Sequence, residues 1–354
     1  MKTSDCASCG NKVYFENISC VRCGHALGYD SSRLEMVTLE ATEEQGLFRR
    51  QGSSGQSGLV RYCENVEHGA CNWLTSPGDE SGLCVACDMN RTIPNLSETG
   101  ALGAWRDFER AKKRLVYQLL RFGLPLEGSA TGKGRLTFDF ARDTTTGHLD
   151  GVISVDMMEA DDVWREQQRK LFEEPYRSLL GHLRHESGHY YWMLLVETQA
   201  RLGDFRALFG DERADYKTEL SKYHQDGPRH DWQSLHVSAY AGAHPWEDWA
   251  ETWAHYLHMV DALETAEAWG LEPRASGLKF GSIWPFRTYD VYREETFGAL
   301  MERWVPLSLA LNSLSRSMGH IDFYPFVIST PVRQKLEFVH NVIRAGTGND
   351  ALLK

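Results

Sequence analysis

Apolar positions recur every three or four residues through most of the chain beyond residue 100, and that period predicts helices. Residues 105–122 form a charged amphipathic run closed by Gly123 and Pro125, with Ser97 or Thr99 as N-cap candidates. Residues 159–168 read as an acidic helix and 205–224 as a helix of mixed charge. Residues 173–201 read as one helix, with Leu179, Leu183, Trp192 and Val196 as apolar positions and Pro175 in the first turn. From Pro245 onward, Trp246, Trp249, Trp253 and Leu257 fall on one side at helical spacing. Residues 289–304, 306–317 and 331–345 predict three more helices. The alternating pattern of a strand marks residues 135–140, and 149–155 reads as a second strand. With a turn at 144–147 between them, the two are expected to pair antiparallel. Gly132-Lys133-Gly134 reads as a turn.

The first hundred residues follow a different pattern, set by cysteine. Cys6-x2-Cys9 and Cys20-x2-Cys23 enclose a short strand at 13–15, and each pair is followed by glycine, Gly10 and Gly24. Two knuckles of this spacing fold over one tetrahedral zinc. Residues 29–47 connect onward, and the Gly/Ser-rich stretch 52–58 reads as a flexible linker. Cys63, Cys71, Cys84 and Cys87 form a second set, in which only Cys84-x2-Cys87 has knuckle spacing. His68 is an alternative ligand there, and a redox pair is an alternative use of these thiols. The expected domains are a zinc ribbon at 1–28, a second cysteine module at 59–95 and a large domain at 98–350.

Composition narrows the function. The chain has 354 residues and 8 cysteines. Its first ten residues lack the apolar stretch of a secretory signal, so the cysteines point to metal rather than disulfides, and the expected compartment is the cytoplasm. No apolar run is long enough to span a membrane. Net charge is −11, and residues 1–95 carry 8 Lys and Arg against 12 Asp and Glu, or −4. A module that grips phosphates would be basic, so nucleic acid is disfavoured as a partner.

The large domain carries the chemistry. His185-Glu186-x-x-His189 lies within the expected 173–201 helix. Positions i and i+4 share one helix face, so the two imidazoles can reach one metal ion. Glu186, beside the first, is placed to take a proton from a metal-activated water. Catalytic zinc takes three protein ligands. Trp192 and Leu195 stand where a metzincin would have Gly and His, so the third ligand must come from elsewhere. Glu247, Glu251 and His255 form a stripe at i, i+4 and i+8 beside the tryptophans. Glu247 is assigned as ligand and Glu251 as the carboxylate that accepts the free N–H of a ligand histidine. The reverse assignment is the alternative. His255 and His258 read as satisfied histidines rather than ligands.

His-Glu-x-Gly-His followed by Glu-Asp-Trp-Ala-Glu resembles the gluzincins related to lethal factor. In that group the first Glu of a Glu-x-x-Ala-Glu helix binds zinc, and a tyrosine seven residues earlier stabilises the transition state. The resemblance therefore implies that role for Tyr240; ordinary aromatic packing is the other reading. Residues 63–94, 185–192, 208–213, 239–259 and 322–326 are together similar to bacterial zinc-binding metallopeptidases with an N-terminal zinc ribbon. The expected fold is α+β: zinc-ribbon modules, then a mostly helical gluzincin-like domain with a small antiparallel sheet. In zincins the strand nearest the active helix often binds extended substrate along its edge, which would give that role to residues 151–155. The expected cofactors are one catalytic and two structural zinc ions. The expected partners are a peptide or protein substrate and a protein recognised through the ribbons. A non-peptidase amide hydrolase, an inactive binding module and a DNA-associated protease are the competing readings.

Overall fold

The structure, a computed structural model, describes residues 2–127, 134–142, 144–172, 174–197, 200–271 and 289–347. Of the expected Gly132-Lys133-Gly134 turn, Gly132 and Lys133 lie outside these. The fold is α+β, and the chain divides into two compact units, Met1–Leu183 and Arg184–Lys354.

The first unit begins with a hairpin, β1 (Ser4–Asp5) and β2 (Lys12–Val13). Next come β3 (Ala26–Asp30), β4 (Glu35–Ala41), β5 (Phe48–Arg50), β6 (Leu59–Tyr62) and β7 (Leu74–Thr75), joined in that order as one five-stranded sheet. Residues 52–58, expected as a flexible linker, instead form the connection between the paired strands β5 and β6. Arg49 and Arg50 tie that connection down by donating to the Gly55 and Ser57 carbonyls. Gly28 lies where Leu74 presses on the sheet: a Cβ there would come within 2.5 Å of the Leu74 side chain.

A second sheet uses β8 (Asn90–Thr92), β9 (Thr137–Ala141), β10 (Gly147–Leu149) and β11 (Val152–Asp156), in the order β10-β11-β9-β8. The expected antiparallel pair is not what forms. β11 makes its hairpin with β10 and then lies parallel to β9. Both ladders of β11 are thereby used, so residues 151–155 offer no free edge to a substrate.

Between β8 and β9 runs α1 (Ala101–Phe122), which starts from Gly100 without a side-chain cap. Ser97 and Thr99 are therefore not its caps. The helix ends at Gly123, at φ 68°, a left-handed position that glycine adopts without strain. Its inner face meets the cysteine region through the Tyr117 ring, 5.4 Å from Phe15, and through an Arg114–Glu16 ion pair. The unit closes with α2 (Asp162–Leu171), capped by Asp161 through the Val163 and Trp164 amides.

The division between units falls inside α3 (Leu179–Leu195). This helix is shorter than the sequence pattern suggested. Ser178 accepts the Gly181 amide at its start, so Pro175 lies ahead of the helix rather than in it. The second unit continues with α4 (Leu202–Phe209), α5 (Tyr216–Asp226) and α6 (Trp232–Leu235). Gly210, at φ 105°, and the Asp215 cap divide what reads in sequence as a single 205–224 helix. After these come α7 (Pro245–Ala268), α8 (Phe297–Ser317) and α9 (Thr330–Thr347). Pro306 lies inside α8 rather than between two helices, and buried Leu300, Trp304 and Leu307 hold that helix together across the missing N–H. Buried Trp249, Trp253 and Leu257 form the core side of α7. The Trp249 Nε1 donates to the Gly188 carbonyl at 2.8 Å, and Trp253 Nε1 to Ser187 Oγ at 3.1 Å. Each indole buries on the order of 200 Å², about 5 kcal/mol as an upper bound. These two side chains lock α7 against α3.

Candidate metal centre

That locking brings two helix faces together. His185 and His189 stand on α3 with ring centroids 5.1 Å apart. α7 begins at Pro245 after the His244 cap, which accepts the Trp246 amide at 3.1 Å. Its first turn carries Glu247 and its second Glu251. Glu247 Oε2 lies 3.0 Å from His185 Nε2, and Oε1 lies 3.6 Å from His189 Nε2. Glu251 instead meets the far side of the same imidazole, with Oε1 2.6 Å from His185 Nδ1. Glu247, not Glu251, converges on the two Nε2 atoms.

Charge follows this geometry. Burial opposes ionisation of Glu247, yet His189, His185 and the Tyr216 hydroxyl outweigh it and bring the carboxyl down to about 2. Burial also opposes protonation of His185, but Glu247 and Glu251 outweigh it and raise the imidazole well above its ordinary value. Two carboxylates around a pair of imidazoles thus make a pocket that favours a cation. The donor atoms of His185, His189 and Glu247 lie within 4.8 Å of one another. Two imidazole nitrogens and one carboxylate oxygen are a set that suits zinc and leaves a fourth position open. Glu186 lies beside this set. Burial, with Glu247 and Glu251 adding to it and His185 opposing, raises its carboxyl to about 7.

Tyr240 sits on the 3-10 turn Tyr240–Ala243, its ring 6.0 Å from that of His185. Burial and the charges of Glu247 and Glu186 hold its phenol well above the ordinary range, so it keeps its proton. His255 is satisfied by the Tyr324 hydroxyl at 2.9 Å, and His258 Nδ1 by Arg184. Two residues were missed in sequence. Tyr216 donates to Glu247 Oε1 at 2.7 Å, and Ser238 donates to Glu251 Oε2 at 2.6 Å. Each lies far in sequence from the carboxylate it meets, and nothing local distinguishes Tyr216 among 14 tyrosines.

The cysteines gather as two further clusters, Cys6, Cys9, Cys20 and Cys23, and Cys63, Cys71, Cys84 and Cys87. All eight are free thiols. Sulfur pairs stand 3.6 Å apart for Cys6–Cys23, and 3.7 Å for Cys9–Cys20 and Cys71–Cys84. Zinc–sulfur bonds of about 2.3 Å give a tetrahedron with edges of about 3.8 Å, so both clusters fit zinc. His68 stands outside the second cluster, packed on the Trp105 ring at 5.8 Å. The second cluster lies over a buried charge group on α1. Lys113 donates to the Ala70 carbonyl and to Glu109, and Cys87 Sγ lies 3.6 Å from the same carboxylate. Burial opposes the Lys113 charge, but Glu109 and the Cys71, Cys87 and Cys84 sulfurs outweigh it and raise its pKa.

A helical unit with a His/His/Glu cluster, in a chain with two four-cysteine clusters, has the donor sets of a zinc-binding protein. Residues 101–342 match the family described as "Putative zinc-binding metallo-peptidase", and residues 3–98 match a zinc-ribbon domain. The chain belongs to this family. It is 38% identical over 349 residues to uncharacterized proteins of Mycobacterium tuberculosis (strains H37Rv and CDC 1551) and Mycobacterium bovis, covering 97% of this chain and 95% of each relative. No solved structure matches. Among the described residues, no helix is long and apolar enough to cross a membrane.

Proposed function

We propose that the chain is a zinc-dependent peptidase of the gluzincin type, with His185, His189 and Glu247 as ligands of the catalytic zinc. The observation that carries this reading is the division of labour between the two carboxylates of α7: Glu247 faces both Nε2 atoms and Glu251 faces His185 Nδ1. Zinc bound there supplies a Lewis acid that lowers the pKa of water to about 7 and polarises a carbonyl.

The chain's own residues do the rest. Glu251 accepts from His185 Nδ1, fixing the tautomer that leaves Nε2 free to bind metal. Glu186 takes the proton of the attacking water and delivers it to the departing amine nitrogen. Tyr240, protonated and beside His185, donates to the oxyanion that develops as the carbonyl is attacked.

Cys6, Cys9, Cys20 and Cys23 hold one structural zinc, and Cys63, Cys71, Cys84 and Cys87 a second. We assign these to modules 1–28 and 59–95, and the peptidase part to 98–350. The substrate is a peptide or protein, and the zinc modules engage a protein partner rather than nucleic acid, in keeping with the charge of −11. The proposed compartment is the cytoplasm. Glu186→Gln tests the mechanism. The variant is expected to keep its zinc and lose turnover of a peptide substrate by at least ~100-fold; an active variant would sink the assignment.

A further inference from the structure

Tyr216 begins α5, immediately after Asp215, whose Oδ1 accepts the Thr218 amide at 2.8 Å and fixes the first helical turn. The phenol ring lies against His244 at 5.2 Å and Trp246 at 6.0 Å. Both belong to the start of α7, the segment that carries Glu247. From this seat the hydroxyl donates to Glu247 Oε1 at 2.7 Å. Oε2 is the oxygen nearer an imidazole, 3.0 Å from His185 Nε2, whereas Oε1 stands 3.6 Å from His189 Nε2. The carboxylate is therefore used unequally: Oε1, on the His189 side, accepts from a phenol, and Oε2, free of that bond, stands closer to an imidazole, that of His185.

That asymmetry matters for a metal ligand. A carboxylate with both oxygens free can close on a cation through the pair of them and fill an extra coordination position. A hydrogen bond on one oxygen draws its electron density and fixes its direction, so the other oxygen is the better ligand. A catalytic zinc needs a position left open for water and substrate. The donor is also neutral. A lysine in the same place would pair with the charge of Glu247 and compete with the metal for it, whereas a phenol orients the carboxylate and leaves it anionic.

We propose that Tyr216 is a positioning residue that commits Glu247 Oε1, so that this carboxylate meets zinc through Oε2 alone and the fourth position stays open. This rests on the zinc reading of His185, His189 and Glu247. Tyr216 acts through Glu247 and carries no proton in the reaction. Its effect lies on how the metal is held.

The test compares wild type, Tyr216→Phe and His185→Ala, each loaded with cobalt(II) and, separately, with zinc. Phenylalanine keeps the ring against His244 and Trp246 and removes the hydroxyl, with its bonds to Glu247 and to Tyr240; the loss of the Tyr240 bond leaves the oxygens of Glu247 untouched. Subtracting the His185→Ala spectrum removes the contribution of the eight thiolates and leaves the His/Glu site. In wild type, that difference spectrum should show the strong visible absorption of four-coordinate cobalt. In Tyr216→Phe it should weaken and shift as Glu247 closes with both oxygens, and chelator competition should find zinc at this site bound ~10–100-fold more weakly. A Tyr216→Phe difference spectrum identical to wild type overturns the proposal, whatever the affinity. If wild type and His185→Ala hold equal metal and give identical spectra, the zinc reading itself fails and takes the proposal with it. The two failures are thus told apart.

Discussion

Gly188 stands between the two histidines of α3, facing α7. A Cβ at this position would meet Ala250 Cα at 3.0 Å and Trp253 Cβ and Cδ1 at 3.2 Å. Ala250 Cα is backbone and the Trp253 indole is fully buried, so neither can swing aside. Carbon atoms pack comfortably at about 3.5–4.0 Å, so Gly188→Ala must push the helices apart by about 0.5 Å. In a free helix the change would stabilise by ~1 kcal/mol, whereas overpacking costs about 1–3 kcal/mol. The net expectation is a loss of up to ~2 kcal/mol. For a unit the size of Arg184–Lys354, that lowers Tm by at most ~4–8 °C. The site should suffer more than the fold. The same displacement widens the contacts of His185 with Glu247, 3.0 Å, and Glu251, 2.6 Å. Metal–ligand distances tolerate only about 0.2 Å, so zinc affinity at this site should fall by ~10-fold or more. Thermal unfolding with and without zinc, beside chelator competition, reads both effects. A variant that melts higher than wild type and holds zinc equally well would show that Gly188 is not needed for the approach of α3 to α7.

Two further perturbations probe other parts of the chain. Lys113→Met removes a buried ammonium that faces Glu109 and the second cysteine cluster and leaves Lys112 as the other cation on that carboxylate; it should cost up to about 3 kcal/mol in stability and speed zinc loss from that cluster, and an unchanged urea midpoint with unchanged zinc release would contradict this. His255 is held neutral to about pH 4, against an ordinary value of 6.5, by burial, with His185 adding and Glu251 opposing. Its folded pKa lies below its unfolded one, so its stabilisation is complete above pH 6.5 and is lost as pH falls towards 4, by at most about 3 kcal/mol. Melting curves of wild type and His255→Gln between pH 7 and 4.5 should converge on the acid side; parallel curves would show that His255 is not responsible.

Much of the candidate site is legible because its residues recur at helical spacing. His185 and His189 lie one turn apart, as do Glu247 and Glu251, and Trp249 and Trp253 mark which side of α7 turns inward. The hydrogen-bond partners Tyr216 and Ser238 were not legible, since only the folding of α5 and the 3-10 turn against α7 brings them to the carboxylates. The N-terminal sheet escaped for a different reason. β3 and β4 each carry four consecutive buried residues, so neither shows the alternation that marks a strand with one wet face. The pairing of β9 with β11 was misjudged because two strands close in sequence look like a hairpin, yet β10 takes the antiparallel place beside β11. Helix ends were lost where one residue decides them. Ser178 starts α3 later than Pro175 suggested, and Gly210 with Asp215 separates α4 from α5.

On the proposed reading, α3 and α7 hold a metal apart from the two cysteine clusters. Metal content per chain, measured on purified wild type beside His185→Ala, tests it most directly. Three zinc ions are expected in wild type and two in the variant, the remaining two being held by Cys6, Cys9, Cys20 and Cys23 and by Cys63, Cys71, Cys84 and Cys87. Two zinc ions in both proteins, unchanged when zinc is added, would contradict it.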